Sequence, residues 1–151
     1  MTLRFDDTLP MQLYRTLDAV MPAYRALFSA HDLTEPQWRV LRVVWDERSA
    51  SQAELSRRTL ISPPSLVALL DRLETKGLVA RMRSVEDRRS VHVVATPAGR
   101  ELHAAVADKV DAITSEIRDR LTDAEWQTFA TLLGRIVTPA EMNERREVAT
   151  S

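Results

Sequence analysis

A chain of 151 residues, 44% apolar and 28% charged, holds enough material for one hydrophobic core and too little for two ordinary domains, so a single domain over 1–151 is expected. The absence of cysteine excludes disulfides, thiolate nucleophiles and sulfur-ligated metals, and His31, His92 and His103 stand too far apart for a metal-binding spacing, so no cofactor is expected. The net charge of −1 is unevenly divided: residues 51–92 carry eight Lys/Arg against five Asp/Glu, or +3, which leaves −4 elsewhere. A basic middle suits phosphate on one face, with ordinary solvated charge as the other reading.

In chain order, Met1-Thr2-Leu3-Arg4-Phe5-Asp6-Asp7 is acidic where a signal peptide is basic and then greasy, and no apolar run approaches the roughly 20 residues of a bilayer span. A cytoplasmic protein with no membrane partner is the expectation. From Leu9 to Phe28, the residues Leu13, Leu17, Val20, Tyr24 and Leu27 draw one apolar stripe along a helix, which Pro22 is expected to kink or locally break. Thr34-Glu35-Pro36-Gln37 reads as a capping box opening a second helix that turns Val40, Leu41, Val44 and Trp45 inward and stops near Arg48. Ser51-Gln52-Ala53-Glu54 caps a short helix through Leu55 to about Arg58. Ser62-Pro63-Pro64-Ser65 starts the next, with Ser62 as N-cap, a stripe of Leu66, Leu69, Leu70 and Leu73, and an end at Lys76-Gly77-Leu78.

Val79–Ser84 and Val91–Thr96 read as the two strands of a hairpin, joined by Val85-Glu86-Asp87-Arg88-Arg89-Ser90. After Thr96-Pro97 a long helix carries Leu102, Val106, Val110, Ile113, Ile117 and Leu121, and Thr122-Asp123-Ala124-Glu125 caps a last one with Trp126, Phe129, Leu132, Leu133 and Ile136. The charged tail after Pro139 is expected to fray.

A short helix, a turn, a second helix with a Ser/Pro start and a basic hairpin describe a winged helix-turn-helix, mainly α with a small β-hairpin. In such a unit the second helix lies in the major groove of double-stranded DNA, and the hairpin tip reaches the neighbouring backbone or minor groove. Ser62, Pro63, Pro64 and Ser65 form the expected reading end, and Arg57, Arg58 and Arg72 are candidate phosphate contacts. Arg72 has an alternative as an ion-pair partner at helical spacing.

The residues also carry a family resemblance. Leu33-Thr34, Trp38-Arg39-Val40-Leu41, Ala53-Glu54-Leu55-Ser56, the run Leu70-Asp71-Arg72-Leu73-Glu74-Thr75-Lys76-Gly77-Leu78-Val79-Ala80-Arg81, Asp87-Arg88-Arg89 and Thr96-Pro97-Ala98-Gly99 resemble the MarR family of bacterial regulators. Within it, Leu33-Thr34-Glu35-Pro36-Gln37-Trp38-Arg39 and Pro64-Ser65-Leu66 are most similar to the repressors of homoprotocatechuate and related aromatic-acid degradation. The resemblance implies a homodimer on pseudo-palindromic DNA, with 9–30 and 97–137 as N- and C-terminal dimerisation helices and 34–96 as the DNA-binding lobe. It further implies that Asp87 orients Arg89 into the minor groove, with Arg88 a further candidate contact; the alternative is a plain surface turn with an ion pair. The recognition helix departs from the pattern, with Leu66-Val67-Ala68 where many members place a Thr-Arg pair, which moves the expected readout toward Ser62, Ser65 and the hairpin tip.

Family members bind small aromatic acids, with ligand opposing DNA. Here Arg39 is a candidate for the carboxylate and Trp38 for the ring, with Arg15, Tyr24 and Arg25 completing the pocket; the other reading makes Trp38 core and Arg39 an intrahelical ion-pair partner. An enzyme is not expected, since no nucleophile–base pair, metal cluster or glycine-rich loop is legible among three glycines, Gly77, Gly99 and Gly134. A winged-helix protein-interaction module without DNA or ligand is the alternative function.

Overall fold

The structure is a computed structural model that describes residues 3–83 and 91–137. After a short 3₁₀ turn at Phe5–Asp7, the elements run α1 (Leu9–Ala30), α2 (Glu35–Glu47), β1 (Ser49–Ser51), α3 (Gln52–Thr59), α4 (Pro63–Thr75), β2 (Val79–Arg83), β3 (Val91–Ala95), α5 (Pro97–Arg118) and α6 (Asp123–Ile136). The chain divides after Ile113 into two compact units. The connection 84–90 and the tail from 138, including the segment expected to fray, lie outside the described residues.

The first unit is built on a core in which Val40, Leu41 and Val44 of α2, Leu55 of α3, and Leu66, Leu70 and Leu73 of α4 are no more than 1% exposed. Val79 of β2, Val93 of β3 and Val106 of α5 close it. The stripes read from the sequence on α2 and α4 are these buried faces, whereas Leu13 and Leu17 of the α1 stripe and Phe129, Leu132 and Ile136 of the α6 stripe are exposed. Thr34/Gln37 and Ser51/Glu54 form reciprocal capping boxes, each hydroxyl accepting a backbone N–H while the N3 side chain accepts from the cap. Pro22 does not break α1, which is continuous over 22 residues. A proline deletes one rung of the hydrogen-bond ladder, and the turns on either side hold the helix together.

The expected two-stranded hairpin is a three-stranded antiparallel sheet in the order β1-β3-β2. The added strand pairs Ser49 with Val94, Ala50 with Val93 and Ser51 with His92. Three small residues are too few to show alternation, and Ser51 doubles as the cap of α3, so the local pattern reads as a helix start alone.

The end of α4 and the start of α5 are joined tightly. Gly77 takes φ 70, and the N–H groups of Gly77 and Leu78 donate to the carbonyls of Glu74 and Leu73 at 2.9 and 3.0 Å, closing α4 as the sequence requires. The Thr96 hydroxyl donates to the Gly77 carbonyl at 2.5 Å and accepts from the Gly99 N–H at 3.1 Å, while the Thr96 N–H donates to the Leu78 carbonyl at 3.1 Å. A Cβ on Gly99 would lie 2.2 Å from the Leu78 oxygen, so only glycine permits this approach.

In the second unit α5 ends at Arg118, short of the expected Leu121, and Arg118 pairs with Asp123 at 2.7 Å. Thr122 and Glu125 form the third capping box. Trp126 and Phe129 pack with ring centroids 6.1 Å apart, while Phe129, Leu132 and Ile136 are 42, 49 and 49% exposed.

Candidate nucleic-acid interface

The helix-turn-helix is α3, a three-residue turn and α4. At the end of α3 the Thr59 hydroxyl donates to the Leu55 carbonyl at 2.5 Å, and the Thr59 carbonyl accepts from Arg39 Nη1 of α2 at 2.7 Å. Leu60 turns the chain in the left-handed conformation with φ 57 and is 86% exposed, and Ser56 Oγ donates to the Ile61 carbonyl at 2.7 Å. The turn is thus fixed from both sides by hydrogen bonds, and its leucine contributes nothing to the core.

Leu66, Leu69, Leu70 and Leu73 bury one face of α4, which leaves Ser62, Pro63, Pro64, Ser65, Val67, Ala68 and Arg72 exposed on the other. Ser62 is the N-cap residue, yet its side chain does not bond a backbone N–H; Oγ donates to Ser65 Oγ at 2.9 Å. Pro63 and Pro64 supply no N–H, so hydroxyls give the end its polar reach. Arg57 and Arg72 are exposed and make no ion pair among the described residues, as phosphate contacts require. Arg58 is bridged to Glu47. Arg72 and Ser65 share with Thr34, Gln37 and Arg39 a groove of about 500 Å³ between α2 and α4.

The sheet is anchored to α4 by Arg81. Its Nη1 lies 2.8 Å from Asp71 Oδ1 and 2.6 Å from Glu74 Oε2, and its N–H donates to Glu74 Oε1 at 3.2 Å. Burial opposes the guanidinium charge, but the hydrogen bonds it donates to Asp71 and Glu74 outweigh it and hold Arg81 above its ordinary value. Asp87, Arg88 and Arg89 lie outside the described residues. Arg83, the last described residue before them, is exposed on the strand that leads there. It is an exposed cation that the sequence reading did not single out as a candidate contact, and its position two residues after Arg81, at the mouth of the charged connection, was the available signal.

Four of the five α1–α2 residues considered for a ligand have contacts within the protein. Trp38 is 7% exposed and stacks on Phe28 with centroids 5.0 Å apart, and Tyr24 stacks on Phe28 at 6.3 Å. Arg39 Nε lies 2.9 Å from Glu35 Oε1, though not aligned as a hydrogen bond, and Nη1 holds Thr59. Arg39 lines the α2–α4 groove, and Trp38 is packed in the core. Arg15 pairs with Asp6 at 2.6 Å, and Arg25 is exposed.

No helix among the described residues is long and apolar enough to cross a membrane. The sequence profile of the MarR family matches residues 33–91, the span from the approach to α2 through the start of β3. Over 141 residues the chain is 30% identical to the homoprotocatechuate degradative operon repressor of Escherichia coli, covering 93% of this chain and 94% of that one. It is 32% identical over 136 residues to a helix-turn-helix transcriptional repressor of Mycobacterium tuberculosis, covering 90% and 98%. Among solved structures it resembles NadR in complex with 4-hydroxyphenylacetate, with a TM-score of 0.79, 25% identity and coverage of 92% and 99%. It also resembles a MarR variant from E. coli complexed with operator DNA, with a TM-score of 0.77, 25% identity and coverage of 89% and 99%. These relatives regulate transcription and are not enzymes. With this helix-turn-helix, this sheet and relatives matched over nearly their whole length, the chain belongs to the MarR family.

Proposed function

We propose that this chain is a homodimeric DNA-binding repressor of transcription, released from its operator by a small aromatic carboxylic acid. The observation that carries the reading is the exposed end of α4, where Ser62 and Ser65 present hydroxyls between Arg57 and Arg72, two exposed guanidiniums that form no ion pair among the described residues. Phosphate contacts from those arginines fix position, and the serines with Pro63 and Pro64 meet base edges. Arg83 and the segment bearing Asp87, Arg88 and Arg89 extend the contact to the minor groove. Arg58, bridged to Glu47, contributes to the local field more than to a direct contact.

Homodimerisation is supported by the apolar stripe that α1 leaves in water, with Leu9, Leu13 and Leu17 at 47, 41 and 53% exposed. A two-fold dimer matches a pseudo-palindromic duplex with half-sites about 34 Å apart. The effector class is supported by the relatives: one represses the homoprotocatechuate degradative operon, and a structural neighbour binds 4-hydroxyphenylacetate. An effector that binds better to a dimer with wrongly spaced recognition helices weakens DNA binding by the same factor. A DNA target makes the cytoplasm its place of action.

Fluorescence anisotropy on duplex from the gene's own upstream region tests the reading. Salt-sensitive binding is expected, weakened about tenfold or more in Arg89→Ala with the dimer intact, and reversed by an aromatic acid. Absence of binding to that duplex and to a genomic fragment library favours the protein-interaction module instead.

A further inference from the structure

Over its first two turns, from the Ser62 cap to Leu69, α4 presents Ser62, Pro63, Pro64, Ser65, Val67 and Ala68 to solvent, and none of these is an arginine, lysine, asparagine or glutamine. Those are the side chains whose paired hydrogen bonds single out guanine and adenine in the major groove. The helix offers hydroxyls and alkyl groups in their place. The hydroxyls are partly spent on each other, since Ser62 Oγ donates to Ser65 Oγ at 2.9 Å and only the Ser65 O–H is left to give. Arg72, further along, lines the groove between α2 and α4 together with Ser65, a lining that does not include Val67.

The helical repeat fixes where the alkyl groups stand. With about 3.6 residues per turn and Leu66, Leu69, Leu70 and Leu73 buried, Pro64, Ala68 and Asp71 lie opposite the core, and Val67 lies beside them on the flank away from Ser65 and Arg72. Pro64 and Ala68 are short side chains, which lets the helix axis come close to the floor of a groove. Val67 is 43% exposed and adds two methyl groups to that face. The acids at its edge, Asp71 and Glu74, are held by Arg81 at 2.8 and 2.6 Å, so a neighbouring phosphate meets paired carboxylates and not free ones. Among the groups that base edges expose in the major groove, the C5 methyl of thymine is the one an alkyl side chain recognises.

We infer that Val67 is a specificity-determining residue that packs on a thymine methyl group in each half-site, with Pro64 and Ala68 permitting the approach. At this part of the operator, methyl contact takes the place of paired hydrogen bonds. The inference rests on the proposed DNA-binding reading and names what the exposed face of α4 selects.

The experiment starts from the duplex bound in the anisotropy assay, with its protected segment mapped by footprinting, and replaces each thymine in turn by deoxyuridine. Deoxyuridine lacks the methyl group and keeps every hydrogen-bonding atom of thymine. At one or more positions the wild-type protein is expected to lose about fourfold in affinity for each methyl removed, and about tenfold or more when both half-sites are changed. Val67→Ala, which raises helix propensity and leaves the core untouched, keeps the far-UV spectrum, binds the thymine duplex more weakly by a similar factor, and no longer distinguishes it from the deoxyuridine duplex. The inference is overturned if deoxyuridine is tolerated without loss throughout the protected segment, or if its effect is as large in Val67→Ala as in the wild type. Failure of every unmodified duplex to bind is a different result: it removes the DNA-binding reading itself, and this inference with it.

Discussion

Arg39 links α2 to the helix-turn-helix through one hydrogen bond, Nη1 to the Thr59 carbonyl at 2.7 Å, across 20 residues of sequence. A hydrogen bond from a charged group, half-exposed here, contributes about 1–2 kcal/mol, and truncation leaves the Thr59 carbonyl to find water. Arg39→Ala is therefore expected to lower unfolding free energy by about 1–2 kcal/mol in a urea titration, with the m-value unchanged. A loss near zero removes Arg39 as a brace of the turn. The two possibilities visible in the sequence, a ligand contact or an intrahelical ion pair with Glu35, both come from neighbours on one helix. The contact with Thr59 depends on the packing of α2 against α3, and no local pattern announces it. Trp38 is similar: an aromatic after a capping box fits a pocket wall or a core, and its stacking on Phe28 of α1 is a long-range contact that no local pattern announces.

The helices were legible because their signals are short-range. Three capping boxes, at Thr34, Ser51 and Thr122, are each written within four residues, and each forms. Strand β1 was hidden because its pairing with β3 crosses more than forty residues and its three residues have a second role as the approach to a cap. Much of the proposed interface follows from α3 and α4 and was legible with them; the exposure of Arg83 and the pairing of Arg58 with Glu47 depended on the fold. The two boxes closed by glutamate carry a pH dependence. The backbone and side-chain hydrogen bonds from Ser51 hold the Glu54 carboxyl below its ordinary 4.5, and those from Thr122 do the same for Glu125. A carboxyl depressed by folding stabilises above its unfolded value and loses that contribution as pH falls through the folded value. Amide exchange at Ser51 and Thr122, corrected for intrinsic rate, is thus expected to quicken as pH drops below 4.5, and Glu54→Gln to remove the dependence at Ser51 alone. Equal protection at Ser51 on both sides of that range contradicts the assignment.

At the scale of the molecule, the chain leaves apolar faces uncovered on α1 and on α6. Replacing Leu13 and Leu17, 41 and 53% exposed, by glutamate is expected to give a folded monomer in sedimentation equilibrium. Duplex affinity then falls by about 10²-fold or more, because the second half-site is no longer bound from a tethered partner. A dimer that survives the double change locates the association elsewhere. Within the first unit, the contacts among Gly77, Leu78, Thr96 and Gly99 have a mechanical meaning. They weld the tail of α4 to the head of α5, so the recognition helix behaves as a lever whose fulcrum is this joint. Its 13 residues reach about 20 Å, so about 10° of rotation at the fulcrum carries the Ser62 end through about 3.5 Å. That is roughly the rise of one base pair, ~3.4 Å along a strand. A tilt of that size, which the burial of Leu66 resists, would shift the proposed contacts of Ser62 and Ser65 by a whole step, and a correct operator would then be met as a wrong one.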